Sequence, residues 1–228
     1  LLDWHRAVDG TWFLGLFVET GRVKNQQKTA LREVAERFPH VEFRLSANQN
    51  VILANASETD KAAITAVLHA HGVKTDHQAS RLHANGMACP SLPTCGLGLA
   101  ESERMLPGMI DRIEKLCEAV GLSNEEIIIR STGCPNGCAR PYMAEIAFVG
   151  KAPGRYQVWL GGNASGTRLN RIWKDVIKEA DLEAELRPVL VRFAKERNPG
   201  ERFGDWTDRV FMNELPVSSP ATAAPGVA

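Results

Sequence analysis

"VEFRLSANQNVILAN", residues 41–55, decides the first part of the fold. "VEFRLS" alternates apolar and polar residues as a half-buried strand does, "ANQN" is a polar turn, and "VILAN" reads as the next strand. Upstream, "NQQKTALREVAERFP" (25–39) puts Leu31, Val34, Ala35 and Phe38 on one helical face, and Pro39 stops the helix. Before that helix, "TWFLGLFVET" (11–20), rich in aromatic and apolar residues, reads as a strand. Downstream, Ser57 caps a helix that runs to about His71 and is closed by Gly72. The order β-α-β-β-α is a split β-α-β unit of ferredoxin-like type. The first domain is therefore expected over residues 1–76.

A second domain is expected over residues 77–215, of α/β type, so that the whole chain is α+β. Residues 73–88 read as a polar linker without a period, and "MACPSLPTCGLG" (87–98) as a proline-rich loop. A helical region is expected from about Leu99 to Val120, with a break or restart at Pro107. "EEIIIRS" (125–131) reads as a buried strand. "MAEIAFVG" (143–150) and "RYQVWLGG" (155–162) read as a hairpin joined by "KAPG", with a helix at about Leu182–Glu196. The small, proline-rich end, residues 216–228, is expected to be disordered.

Composition narrows the classes of function. With 27 basic and 27 acidic residues, no global field draws the chain to nucleic acid or an anionic membrane. No apolar run approaches the roughly 20 residues of a membrane span. The chain opens at Leu1 without a signal peptide, and is expected to be a truncated or processed piece of a cytoplasmic protein. Five cysteines, an odd number, suit a reducing compartment, where clustered thiols are more often ligands than bridges.

Four of those cysteines fall into two loops. Cys89 and Cys95 lie in the first, Cys134 and Cys138 in "TGCPNGCARP" (132–141). Cys117 shares an apolar helical face with Ile110, Ile113 and Leu116, and reads as a core residue. Thiolates at short spacing on proline-stiffened loops suit one 4Fe–4S cluster, and Asn136 and Gly137 permit a tight turn that aims N–H groups at sulfur. From spacing alone, a four-cysteine zinc site or no metal at all remain open beside the cluster.

"MACPSLPTC", "TGCPNGC" and "VGKAPGRYQVWLGGN", with the "SANQN" turn and "FGDWT", resemble the siroheme and 4Fe–4S sulfite/nitrite reductase family. The resemblance runs from about Trp12 to Val210, and is to the C-terminal half of the sulfite reductase hemoprotein, about twice this length. It implies that Cys89, Cys95, Cys134 and Cys138 bind the cluster, and that Cys138 also serves as the bridging axial ligand of siroheme. The implied activity is six-electron reduction of sulfite to sulfide, with nitrite reduction or a non-enzymatic iron–sulfur electron-transfer module as alternatives.

Siroheme is rich in carboxylates, so cations and hydrogen-bond donors are expected around it. The candidates are Gln49, Asn50, Thr132, Asn136 and Arg140, with Arg130, Lys151, Arg155 and Arg168 as further cations. The residues that bind the substrate anion, and hence the catalytic residues, are expected in a missing N-terminal half. The implied partners are that half and a flavoprotein reductase subunit using NADPH, or ferredoxin. Alone, the chain is expected to be inactive and to self-associate through the vacated pseudo-twofold surface.

Overall fold

The structure, a computed structural model, describes residues 2–214. Leu1 and the segment expected to be disordered lie outside the described residues. Two apolar cores organise the chain, one gathered from residues between Leu14 and Val73, the other from residues between Leu82 and Met212.

The first core lies under an antiparallel sheet of β1 (Asp3–Arg6), β2 (Trp12–Leu16), β3 (Glu42–Leu45) and β4 (Val51–Ala56), in the order β1-β2-β4-β3. Two helices cover one face, α1 (Asn25–Arg37) and α2 (Asp60–Ala70). Ala30 and Val34 of α1 and Ile64, Val67 and Leu68 of α2 fall at helical spacing and meet Leu14, Leu16, Val51 and Leu53. α1 ends before Pro39, and Gly72 closes α2 in the left-handed region at φ +71°. Ser57 does help to cap α2, its Oγ accepting from Asp60 N–H at 3.2 Å.

β1 was absent from the sequence reading. It is held by Trp4, whose indole N–H donates to Thr65 Oγ1 of α2 at 3.1 Å. At the other edge, β3 is exposed along its whole length. Phe43 and Leu45 pair with the buried Leu53 and Val51, so they share the helix-facing side of the sheet. They project past the helices, however, and remain 41% and 86% exposed.

The second core lies under a five-stranded sheet: β5 (Met87–Ala88), β6 (Ile129–Thr132), β7 (Ile146–Ala152), β8 (Arg155–Leu160) and β9 (Arg171–Lys178), in that order. β5, β6 and β7 are parallel, and β7, β8 and β9 antiparallel. α4 (Leu106–Ala119) and α5 (Leu182–Glu196) supply an apolar stripe each, including Met109, Ile113 and Leu116 from α4 and Leu186, Leu190 and Phe193 from α5. Phe203 and Trp206, on the short helix α6 (Phe203–Trp206), close this core against Phe193, the first edge-on and the second tilted.

Two expectations change here, and one strand is added. The presumed linker contains α3 (Arg81–Asn85) and β5. The helix expected from Leu99 begins only at Leu106, because the N–H groups of Leu99 and Ala100 both donate to Gly133 O, at 2.8 and 3.1 Å. β9 is an edge strand that the sequence reading left unassigned.

Candidate metal centre

The two cysteine loops leave adjacent parallel strands and are tied together by backbone. β5 runs straight into Cys89, and β6 into Gly133 and Cys134. Gly133 N–H donates to Cys89 Sγ at 3.2 Å, and Thr132 Oγ1 does so at 3.5 Å. Both donors fix the orientation of that sulfur. Gly133 has no room for a side chain: a Cβ there would stand 1.6 Å from Ser91 Oγ and 2.7 Å from Ala100 O. Ser91 itself donates to Ala100 O at 2.5 Å, closing the first loop.

The second loop turns back through Gly137, at φ +69°, where Arg140 N–H meets Gly137 O at 2.8 Å. Tyr142 clamps it, donating its hydroxyl to Pro135 O at 2.8 Å. Burial, and next the nearby Cys134, hold the Tyr142 phenol above its ordinary range. The cysteines thereby acquire different surroundings. Cys89 and Cys134 are buried, Cys95 is half-buried and Cys138 is exposed. All are free thiols. Beside Gly137 and Arg140, an open pocket of about 520 Å³ is walled by Tyr142, Met143, Trp159 and Leu169. Tyr142 and Trp159 meet edge to face there at 4.9 Å. Cys117 is apart from this group, buried in α4, where burial pushes its thiol up to about 12.

The other expected site residues are distributed as follows. Gln49, at φ +64° in the "SANQN" turn, spans the two units: its Nε2 donates to Ala88 O at 2.8 Å and its Oε1 accepts from Ala88 N–H at 3.1 Å. It thus grips the residue before Cys89. Asn50 is buried, and its Oδ1 accepts from Val18 N–H at 2.9 Å within the first unit. Arg140 returns the contact from the other side, donating to Ala47 O at 2.6 Å. Thr132 faces Cys89 as described, and Asn136 is exposed at the tip of its loop. An ion pair from Arg22 to Glu103 adds a third tie between the units. Among the further cations, Lys151 pairs with Asp175 and Arg168 with Asp205, whereas Arg130 is buried.

Sequence reasoning missed Tyr142 and Trp159, although the alternation of "RYQVWL" put Trp159 opposite the core-facing Tyr156, Val158 and Leu160. It also missed Glu145, which is fully buried and accepts from Ile128 N–H and Gly204 N–H while pairing with Arg202. His83 of α3 and Asp111 and Glu114 of α4 bring three ligand atoms within 4.8 Å of one another.

Residues 5–71 match the family model described as the nitrite/sulfite reductase ferredoxin-like half domain. Over 94% of its length the chain is 48% identical to a sulfite reductase [ferredoxin] of Synechococcus elongatus. It is 49% identical, over 91% of its length, to a sulfite reductase [NADPH] hemoprotein beta-component of Staphylococcus epidermidis. Among solved structures, the NirA protein of Mycobacterium tuberculosis superposes with a TM-score of 0.74 at 25% identity, covering 91% of this chain and 40% of that one. The dissimilatory sulfite reductase I shares the fold at a TM-score of 0.59 and 11% identity, covering 92% of this chain and 73% of that one. The chain spans 35% and 37% of the two curated relatives, nearer a third than the half expected from sequence. The chain is therefore a partial-length member of the nitrite/sulfite reductase family.

Proposed function

We propose that this chain is the cluster-bearing part of a siroheme sulfite reductase, in which Cys89, Cys95, Cys134 and Cys138 hold a 4Fe–4S cluster and Cys138 also faces siroheme. One observation carries the reading: two loops on adjacent parallel strands present four free thiols, graded from buried to exposed, with donors already aimed at Cys89 Sγ. The exposed end, Cys138, adjoins an apolar, aromatic-walled pocket that a flat macrocycle would fit.

When bound, the cluster and siroheme would relay electrons from an external donor to sulfite, whose six-electron reduction gives sulfide. The chain's own residues bind and orient. Gln49 and Arg140 lock the turn of the first unit onto the cysteine loops, Thr132 and Gly133 hold Cys89, and Tyr142 fixes the second loop. The substrate-binding cations and the remainder of the siroheme pocket belong, in this reading, to the rest of the relatives' length. Relatives named for ferredoxin and for NADPH match almost equally well, so the reading accepts either donor. A reducing compartment such as the cytoplasm suits five free thiols.

The test is anaerobic purification with iron, acid-labile sulfide, zinc and siroheme quantified on one sample. Iron and sulfide with siroheme support the full reading, and iron and sulfide alone support an electron-transfer module. Zinc without sulfide overturns both.

A further inference from the structure

Arg130 stands out among the cations of the second unit. It leaves β6 on the same face as Thr132, because alternate strand residues share a face. That is the face on which Thr132 meets Cys89 Sγ. The Arg130 side chain runs beneath the second cysteine loop, where its Nη1 donates to Arg140 O at 3.0 Å, two residues past Cys138. The residue is 8% exposed, and its Nε is buried without any partner. Among the described residues no carboxylate pairs with it, whereas the half-buried Arg202 is paired with the buried Glu145. Its charged neighbour is another guanidinium. Burial, and next Arg140, lower its proton affinity to about 10.

A buried cation facing a second cation is costly, and replacing one by an apolar side chain is often neutral or stabilising. The arrangement makes sense once an anion occupies the loop above it. Four thiolates around an iron–sulfur core are such an anion, and net charge with nearby hydrogen-bond donors sets cluster potential. We propose that Arg130 is the fixed counter-cation of the anion held by the two cysteine loops, a thiolate-ligated iron–sulfur cluster, and raises its reduction potential. This rests on the cluster reading above.

The test compares wild type, Arg130→Met and Arg130→Lys, each without metal and after anaerobic reconstitution with iron and sulfide. Without metal, Arg130→Met should unfold at the same urea concentration as wild type or a higher one. With the cluster, the same variant should be harder to reduce by at least about tenfold in the one-electron equilibrium, about 59 mV more negative. Arg130→Lys should restore most of the shift. Loss of the cluster from Arg130→Met alone, with retention in Arg130→Lys, supports the proposal equally. A metal-free Arg130→Met that unfolds much more easily makes Arg130 a structural strut and overturns it, as does an unchanged potential. If wild type itself takes up neither iron nor sulfide, the cluster reading fails first and the named anion with it.

Discussion

Gln49→Ala is the substitution that best probes how the two units are joined. Gln49 uses both atoms of its amide on one residue, Ala88, at 2.8 and 3.1 Å, and Ala88 is fully buried. Truncation leaves a buried N–H and a buried carbonyl without that partner, at about 1–3 kcal/mol each. Gln49 is itself half-buried, so water will satisfy part of the loss, and about 2–4 kcal/mol remains. If opening at Ala88 is local, its amide should exchange with solvent about 30- to 900-fold faster. Gln49→Glu should be no better, since a carboxylate would accept from Ala88 N–H but set an oxygen against Ala88 O. Native-state hydrogen exchange on the purified chain reads this directly. An unchanged Ala88 exchange rate in Gln49→Ala, with stability within about 0.5 kcal/mol of wild type, would refute the clamp.

Other outcomes follow from single elements. Burial raises the Cys117 thiol from 9.0 to about 12, so the folded chain holds that proton more tightly than the unfolded one. The contribution is whole below pH 9 and is lost as pH rises through 12; Cys117→Ala should flatten that part of a stability-versus-pH curve measured by urea unfolding. Pro188 lies on the exposed face of the α5 interior, where it removes a helix hydrogen bond. Pro188→Ala should therefore stabilise the chain, by up to about 3 kcal/mol in urea unfolding. Leu45 offers a bare apolar side chain beside an unpaired strand edge, so wild type should self-associate with concentration in light scattering, and Leu45→Lys should do so less.

The first unit was legible because its signals are local. The polar "SANQN" turn, the α1 stripe ended by Pro39, and the Gly72 stop each write their structure within a few residues. β1 escaped because four residues cannot display a period, and its anchor, the Trp4 bond to Thr65, lies 61 residues away. β9 escaped because it is mostly exposed and its pairing with β8 shifts register twice, which breaks the alternation that marks a strand. In the candidate site, cysteine spacing pointed to the two loops that leave β5 and β6. It did not foretell that Gln49 spends its amide on Ala88, or that Arg130 and Glu145 are buried. Those facts depend on which distant segments cover them. Gly133 and Gly204 look like ordinary turn glycines in sequence. In the fold each is a close backbone approach, with Gly204 leaving only 1.9 Å between a would-be Cβ and Gly162 O.

The central claim, that two loops form one cluster site, is tested most directly by counting iron and sulfide in five single variants after anaerobic reconstitution. Cys89→Ser, Cys95→Ser, Cys134→Ser and Cys138→Ser should each lose most of the iron and sulfide that wild type binds, and Cys117→Ser should keep it. Retention in any two of the four loop variants, or loss in Cys117→Ser alone, would contradict the account.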